Sequence, residues 1–123
     1  MPRTGKHKIQ TRRVYEEISP DEGACFLVDR VWPRGIKKSA LSAVTWLREV
    51  APSAALRKWF GHEPAKWPEF QARYRAELRE NPAACDPLLN AVKKEDVVLL
   101  FAAKNEAMNN AIVLKKFLEE KGR

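Results

Sequence analysis

The longest uninterrupted apolar run in the chain is Val97-Val98-Leu99-Leu100-Phe101-Ala102-Ala103. It is far below the roughly 20 residues needed to cross a bilayer. A strand with one wet face would alternate apolar and polar side chains, and this run does not. It therefore reads as a strand over residues 97–102 buried on both faces, which demands a sheet covered on both sides. An apolar fraction of 45% supplies enough side chains for such a core and excludes a wholly disordered or low-complexity chain.

Two other stretches have strand composition. Ile9-Gln10-Thr11-Arg12-Arg13-Val14-Tyr15 is rich in β-branched and aromatic types, and Cys25-Phe26-Leu27-Val28-Asp29 is apolar on both faces. Turn chemistry, Ser19-Pro20-Asp21-Glu22-Gly23, separates them. That connection is too short for a helical crossover of about ten to twelve residues. The two strands are thus antiparallel neighbours or not neighbours at all, and strand order is open.

Helical signals fill most of the remainder. Leu41, Val44, Trp46 and Leu47 share a broad apolar face, predicting a helix over residues 41–50 that Pro52 stops. Ser53 is a good N-cap for a short helix ending at Gly61. A longer helix begins near Pro68, with Trp67, Phe70, Tyr74 and Leu78 on its apolar side. Asn81-Pro82 and Asp86-Pro87 each read as an N-cap followed by proline at the first helical position. Asn105 reads as the cap of a last helix, whose stripe includes Ile112, Val113 and Phe117. Strands separated by helical stretches point to the α/β class: a small, mainly parallel sheet with helices on both faces, in a single domain over residues 9–120.

The net charge is +7, with +5 in residues 1–13 and +4 in residues 30–38. The excess therefore sits in one end and one loop, not on a domain-wide basic face. Residues 1–8 read as a flexible basic tail, as termini often are. Two cysteines, Cys25 and Cys85, form neither a disulfide framework nor a CxxC pair, which points to a reducing, cytoplasmic setting. No apolar stretch follows the basic start as a secretory signal would require, and nothing suggests a membrane partner.

Several stretches together resemble the YeaO-like family, small bacterial proteins grouped under a domain of unknown function. They are Thr11-Arg12-Arg13-Val14-Tyr15, then Leu27-Val28-Asp29-Arg30-Val31-Trp32-Pro33-Arg34-Gly35-Ile36, and Ala51-Pro52-Ser53 followed by Leu56-Arg57-Lys58-Trp59-Phe60-Gly61-His62. Phe70, Tyr74, Glu77 and Leu78 continue the match, which ends on Leu99-Leu100-Phe101-Ala102-Ala103-Lys104-Asn105 with Asn109 and Ala111. The resemblance implies an α/β fold. A transcription-regulator label attached to some members finds no support in a helix-turn-helix feeding a basic recognition helix. Some longer relatives carry a Cys-His-Arg segment near the last strand–helix junction. This chain has Met108-Asn109-Asn110 in that region, so thiol chemistry does not carry over.

Ligands of open α/β sheets bind beyond the carboxyl ends of parallel strands. If the second and last strands are parallel, Asp29-Arg30 and Lys104-Asn105 emerge at one rim, with Trp32 and Arg34 on the loop leaving it. Arg30 and Arg34 would then hold an anion, with Lys104 adding charge and Asn105 orienting polar groups. Trp32 would stack on a planar ligand, and Asp29 would fix the arginines or act as a base. The plainer alternative pairs Asp29 with Arg30 or Arg34 to pin the loop, leaves Trp32 to loop packing and Lys104 to solvent.

His62 is a second candidate for acid–base work, with helix-end capping as its alternative. Cys25 and Cys85 lack a nearby cation that would make a thiolate. Two histidines and two cysteines without ligand spacing argue against a metal site, and no cofactor motif such as GxGxxG or a Walker loop occurs. The expected partner is therefore a small anionic molecule. Weak, non-specific nucleic-acid binding through the tail and the 30–38 loop is the alternative, and a homodimer built on the tryptophan-bearing helices is a third.

Overall fold

The computed structural model describes residues 7–16 and 22–121. Four strands, β1 (Ile9–Arg13), β2 (Ala24–Leu27), β3 (Thr45–Trp46) and β4 (Val97–Phe101), form one sheet. Their order is β1-β4-β2-β3, and every pair is parallel. The two early strands are thus not neighbours. The apolar run lies between them, with Leu99 level with Thr11 on one side and Phe26 on the other. All five residues of β4 are buried, as its unbroken apolar character requires. Turn chemistry before β2 has a specific cause at Gly23. Its φ is +117°, and a Cβ there would stand 2.2 Å from the Asp96 carbonyl oxygen.

Four helices follow the punctuation of the sequence: α1 (Ala54–Phe60), α2 (Trp67–Glu80), α3 (Asp86–Val92) and α4 (Asn110–Lys121). Ser53 Oγ accepts from the Leu56 amide and Gly61 closes α1 in the left-handed region, as the capping residues predict. Ahead of α3, Asp86 is the first helical residue and Cys85 takes the capping place. Pro82 opens a 3-10 turn behind Asn81 that makes no side-chain cap.

The expectation of helices on both faces is corrected. Among the described residues, buried side chains of all four helices pack with Phe26, Val97, Leu99 and Phe101 on one face. The other face, Leu27, Val98 and Leu100, is sealed by residues 32–46 through Trp32, Ile36, Leu41, Val44 and Trp46. This also overturns the helix expected over residues 41–50. That stretch is a 3-10 turn, the two-residue strand β3 and a second 3-10 turn. Its backbone is used elsewhere: Phe26 and Leu27 pair with Thr45 and Trp46, and the Leu47 amide donates to the Leu27 carbonyl at 2.9 Å. Of the apolar residues that mimic a helical face, Leu41, Val44 and Trp46 serve the second side of the sheet, while Leu47 packs with the helical side.

Candidate functional site

Parallel pairing delivers the carboxyl ends of β1, β4 and β2 to one rim, where a cleft of about 500 Å³ opens. Residues 29–34 leaving β2 form one wall, and α1 with Phe60 and Phe70 another. Ala102, Ala103 and residues 108–110 close the side beyond β4. The α1 wall is held by hydrogen bonds to the segment before it. Tyr74 Oη donates to the Val50 carbonyl at 2.5 Å, and Glu77 accepts from both the amide and the hydroxyl of Ser53.

Asp29 and Arg30 both line the cleft, but not as a pair. Asp29 Oδ2 accepts from the Ala102 amide at 2.9 Å and Oδ1 from Asn110 Nδ2 at 3.1 Å. Its carboxylate therefore ties the end of β2 to the end of β4 and the start of α4. Burial raises the Asp29 pKa, and it outweighs these two hydrogen bonds and the charge of Arg57, which pull the other way. Arg30 donates from Nε to the Pro52 carbonyl and from Nη2 to the Ala51 carbonyl, each at 3.1 Å. No ion pair joins Asp29 to Arg30 or Arg34 among the described residues, so the pinning salt bridge weighed from sequence is absent there.

Trp32 and Arg34 line the same cleft. Trp32 is half-buried, donates Nε1 to the Ile36 carbonyl at 2.7 Å and meets Trp46 edge to face at 5.2 Å. It is thus part of the cover over the second sheet face as well as of the cleft wall. The Arg34 side chain is exposed, while its carbonyl accepts from Tyr15 Oη at 2.9 Å. His62 is exposed at the mouth with φ +60°, its ring 6.1 Å from that of Phe60.

Lys104 and Asn105 are exposed and do not line the cleft. Asn105 does not cap the last helix either. Its Oδ1 accepts from the amides of Ala107 and Met108, building a turn, and the cap of α4 is buried Asn109, whose Oδ1 accepts from the Ile112 amide at 3.0 Å. The helix starts later because the chain first needs residues 102–109 to fold back over the rim.

Sequence reasoning missed Arg57, Lys58 and Asn110 as cleft residues. The signal for the first two was present: Ser53 caps a helix that starts at the rim, and a basic pair lies on its next turn. Arg30, Arg34, Arg57 and Lys58 line the cleft with one carboxylate among the described residues, that of Asp29, which is already hydrogen-bonded. Guanidinium groups are planar, bidentate donors, and cations gathered on one concavity make its potential positive. Thiol chemistry has no support from the two cysteines, since burial raises the pKa of both, that of Cys85 to about 11. No cluster of metal-ligating side chains occurs among the described residues.

A family model described as the inactive DUF488-N3 subclade matches residues 8–123. The chain belongs to that subclade. It is 41% identical over 110 residues to the uncharacterized protein YeaO of Escherichia coli, covering 89% of this chain and 96% of that one. Uncharacterized proteins of Mycobacterium tuberculosis and Mycobacterium bovis are 38% identical over 111 residues, covering 90% of this chain and 93% of each relative. No solved structure matches the chain. No helix among the described residues is long and apolar enough to cross a membrane.

Proposed function

We propose that this member of the subclade is a binding domain for a small anionic molecule, seated in the cleft at the carboxyl ends of β1, β4 and β2. The observation that carries the reading is that Arg30, Arg34, Arg57 and Lys58 line one concavity whose only acid among the described residues is Asp29. Volumes of about 300–1,000 Å³ are usual for small-molecule sites, and this cleft falls within that span. Binding is favoured over turnover by two things. Both oxygens of Asp29 are engaged by structural donors, and the family description is of an inactive subclade. Met108, Asn109 and Asn110 line the cleft in the region where longer relatives carry a Cys-His-Arg segment.

Calorimetric titration with inorganic phosphate tests this. Saturable binding is expected, weakened at least about tenfold in the Arg34→Ala, Arg57→Ala double variant, the equivalent of one lost charge-assisted contact. No binding at millimolar phosphate, or equal affinity in the double variant, overturns the reading. A second reading rests on Lys37 and Lys38, exposed on the loop beside the cleft but outside its lining. In that reading the basic tail and the 30–38 loop contact nucleic-acid phosphates, and the exposure of these two lysines supports it.

A further inference from the structure

Among the described residues only two large hydrophobic side chains are exposed, Tyr15 at 45% and Val31 at 56%. Both line the same cleft as the four cations. They come from different strand ends, β1 and β2, so chain proximity does not account for the coincidence. Scattered exposed apolar residues need no explanation, but apolar side chains gathered at the edge of a polar cleft are the usual furniture of a ligand site. The Tyr15 ring is held in place on two sides: its hydroxyl donates to the Arg34 carbonyl, and the Arg13 guanidinium lies 4.9 Å from the ring centroid. Arg13 is itself tied to the Ala102 and Ala103 carbonyls. An exposed aromatic ring fixed this firmly loses little freedom when it contacts a ligand.

We infer that the ligand is an amphipathic anion, with a charged head for the cations and a planar apolar body for Tyr15 and Val31. This rests on the anion reading above and adds the chemistry of the rest of the molecule. An inorganic oxyanion would leave the apolar mouth empty, and a neutral aromatic would leave the guanidiniums unanswered.

The probes are inorganic phosphate, phenyl phosphate and phenol, titrated into the whole chain and into Val31→Ser and Tyr15→Ser variants. Phenyl phosphate is expected to bind at least about tenfold more tightly than inorganic phosphate, the gain from burying much of one ring face, with phenol not binding. In Val31→Ser and Tyr15→Ser that preference should shrink several-fold; Val31→Ser, which removes no hydrogen bond, should also keep the affinity for inorganic phosphate, and urea unfolding checks that both variants are folded. If inorganic phosphate binds and phenyl phosphate binds no better, the amphipathic inference fails and the anion reading stands. If neither binds, both fail. A preference that survives both substitutions places the apolar contact elsewhere and overturns the assignment to Tyr15 and Val31.

Discussion

Asp29 lies in a cleft of positive charge, yet its pKa is raised above the ordinary carboxylate value. Burial outweighs two hydrogen bonds and Arg57, so the native state binds this proton more readily than the unfolded chain does. By linkage, stability is then lost as pH rises from the unfolded carboxyl pKa of about 3.9 through the higher native value, and stays at the lower level above it. Asp29→Asn removes that component. Urea unfolding of the two proteins as a function of pH should show the stability difference shifting in favour of the variant as pH rises from about 4 towards neutrality. A difference independent of pH would contradict the raised pKa. The arginines divide differently. Arg30→Ala leaves the buried Ala51 and Pro52 carbonyls without their donor, at a cost of roughly 2 kcal/mol in the same assay. Arg34→Ala, at an exposed side chain that makes no hydrogen bond or ion pair with the described residues, should stay within about 0.5 kcal/mol. Both residues were legible in the sequence as cations of one motif. Which of them has a structural duty was not, because it depends on carbonyls 21 and 22 residues away that only the fold brings near.

At the scale of elements, legibility followed locality. Helices α1 and α2 are marked by Ser53, Gly61, Trp67 and Pro68, residues whose effect is exerted within one turn of the chain. Strand β4 is marked by a burial demand so strong that no neighbour could alter it. Residues 41–50 lacked both kinds of signal, and their periodicity was equally compatible with a helix and with a cover for the second sheet face. Backbone pairing with β2 and the bond from Trp46 Nε1 to the Asp29 carbonyl at 2.7 Å decided between them. The start of α4 was misplaced for a related reason: two asparagines compete for the cap, and choosing needs the path of residues 102–109. Asn109 wins through a second bond, Nδ2 to the Asn105 carbonyl at 2.9 Å, made only in the folded-back loop. Asn109→Ala should therefore destabilise the protein by about 1–2 kcal/mol in thermal or urea unfolding. Because Asn109 also lines the cleft, the same change should weaken phosphate binding. Asn105→Ala, lacking any cleft contact, should spare it.

For the whole molecule, all-helical cover on one face and loop cover on the other put both basic segments near a single end or outside the described fold. Residues 30–38 run past the cleft, while residues 1–6 lie outside the described residues, so the expected flexible tail is outside them except for His7 and Lys8. Lys8 is built into the fold, its amide donating to Asp96 Oδ1 and its carbonyl accepting from the Val97 amide, both at 2.9 Å. A truncation meant to test tail charge must therefore stop before His7. Removing residues 1–6 deletes Arg3 and Lys6. Were the tail to contact B-DNA phosphates, the log–log slope of affinity against salt would flatten by up to about 1.8 units, at about 0.9 per phosphate. A small anion in the cleft obeys a different rule. Its cations are fixed by α1 and the 29–34 wall, so its affinity should be unchanged by the truncation and should respond to Arg34→Ala and Arg57→Ala. Full-length and truncated proteins, each titrated with phosphate by calorimetry and with duplex DNA by electrophoretic shift across salt concentrations, separate the two. The expected result is weak DNA binding that falls with the tail and phosphate binding that does not. Tight, sequence-selective DNA binding retained by the truncated protein and lost in Lys37→Ala, Lys38→Ala would instead make the exposed loop lysines the functional surface and leave the cleft without its proposed role.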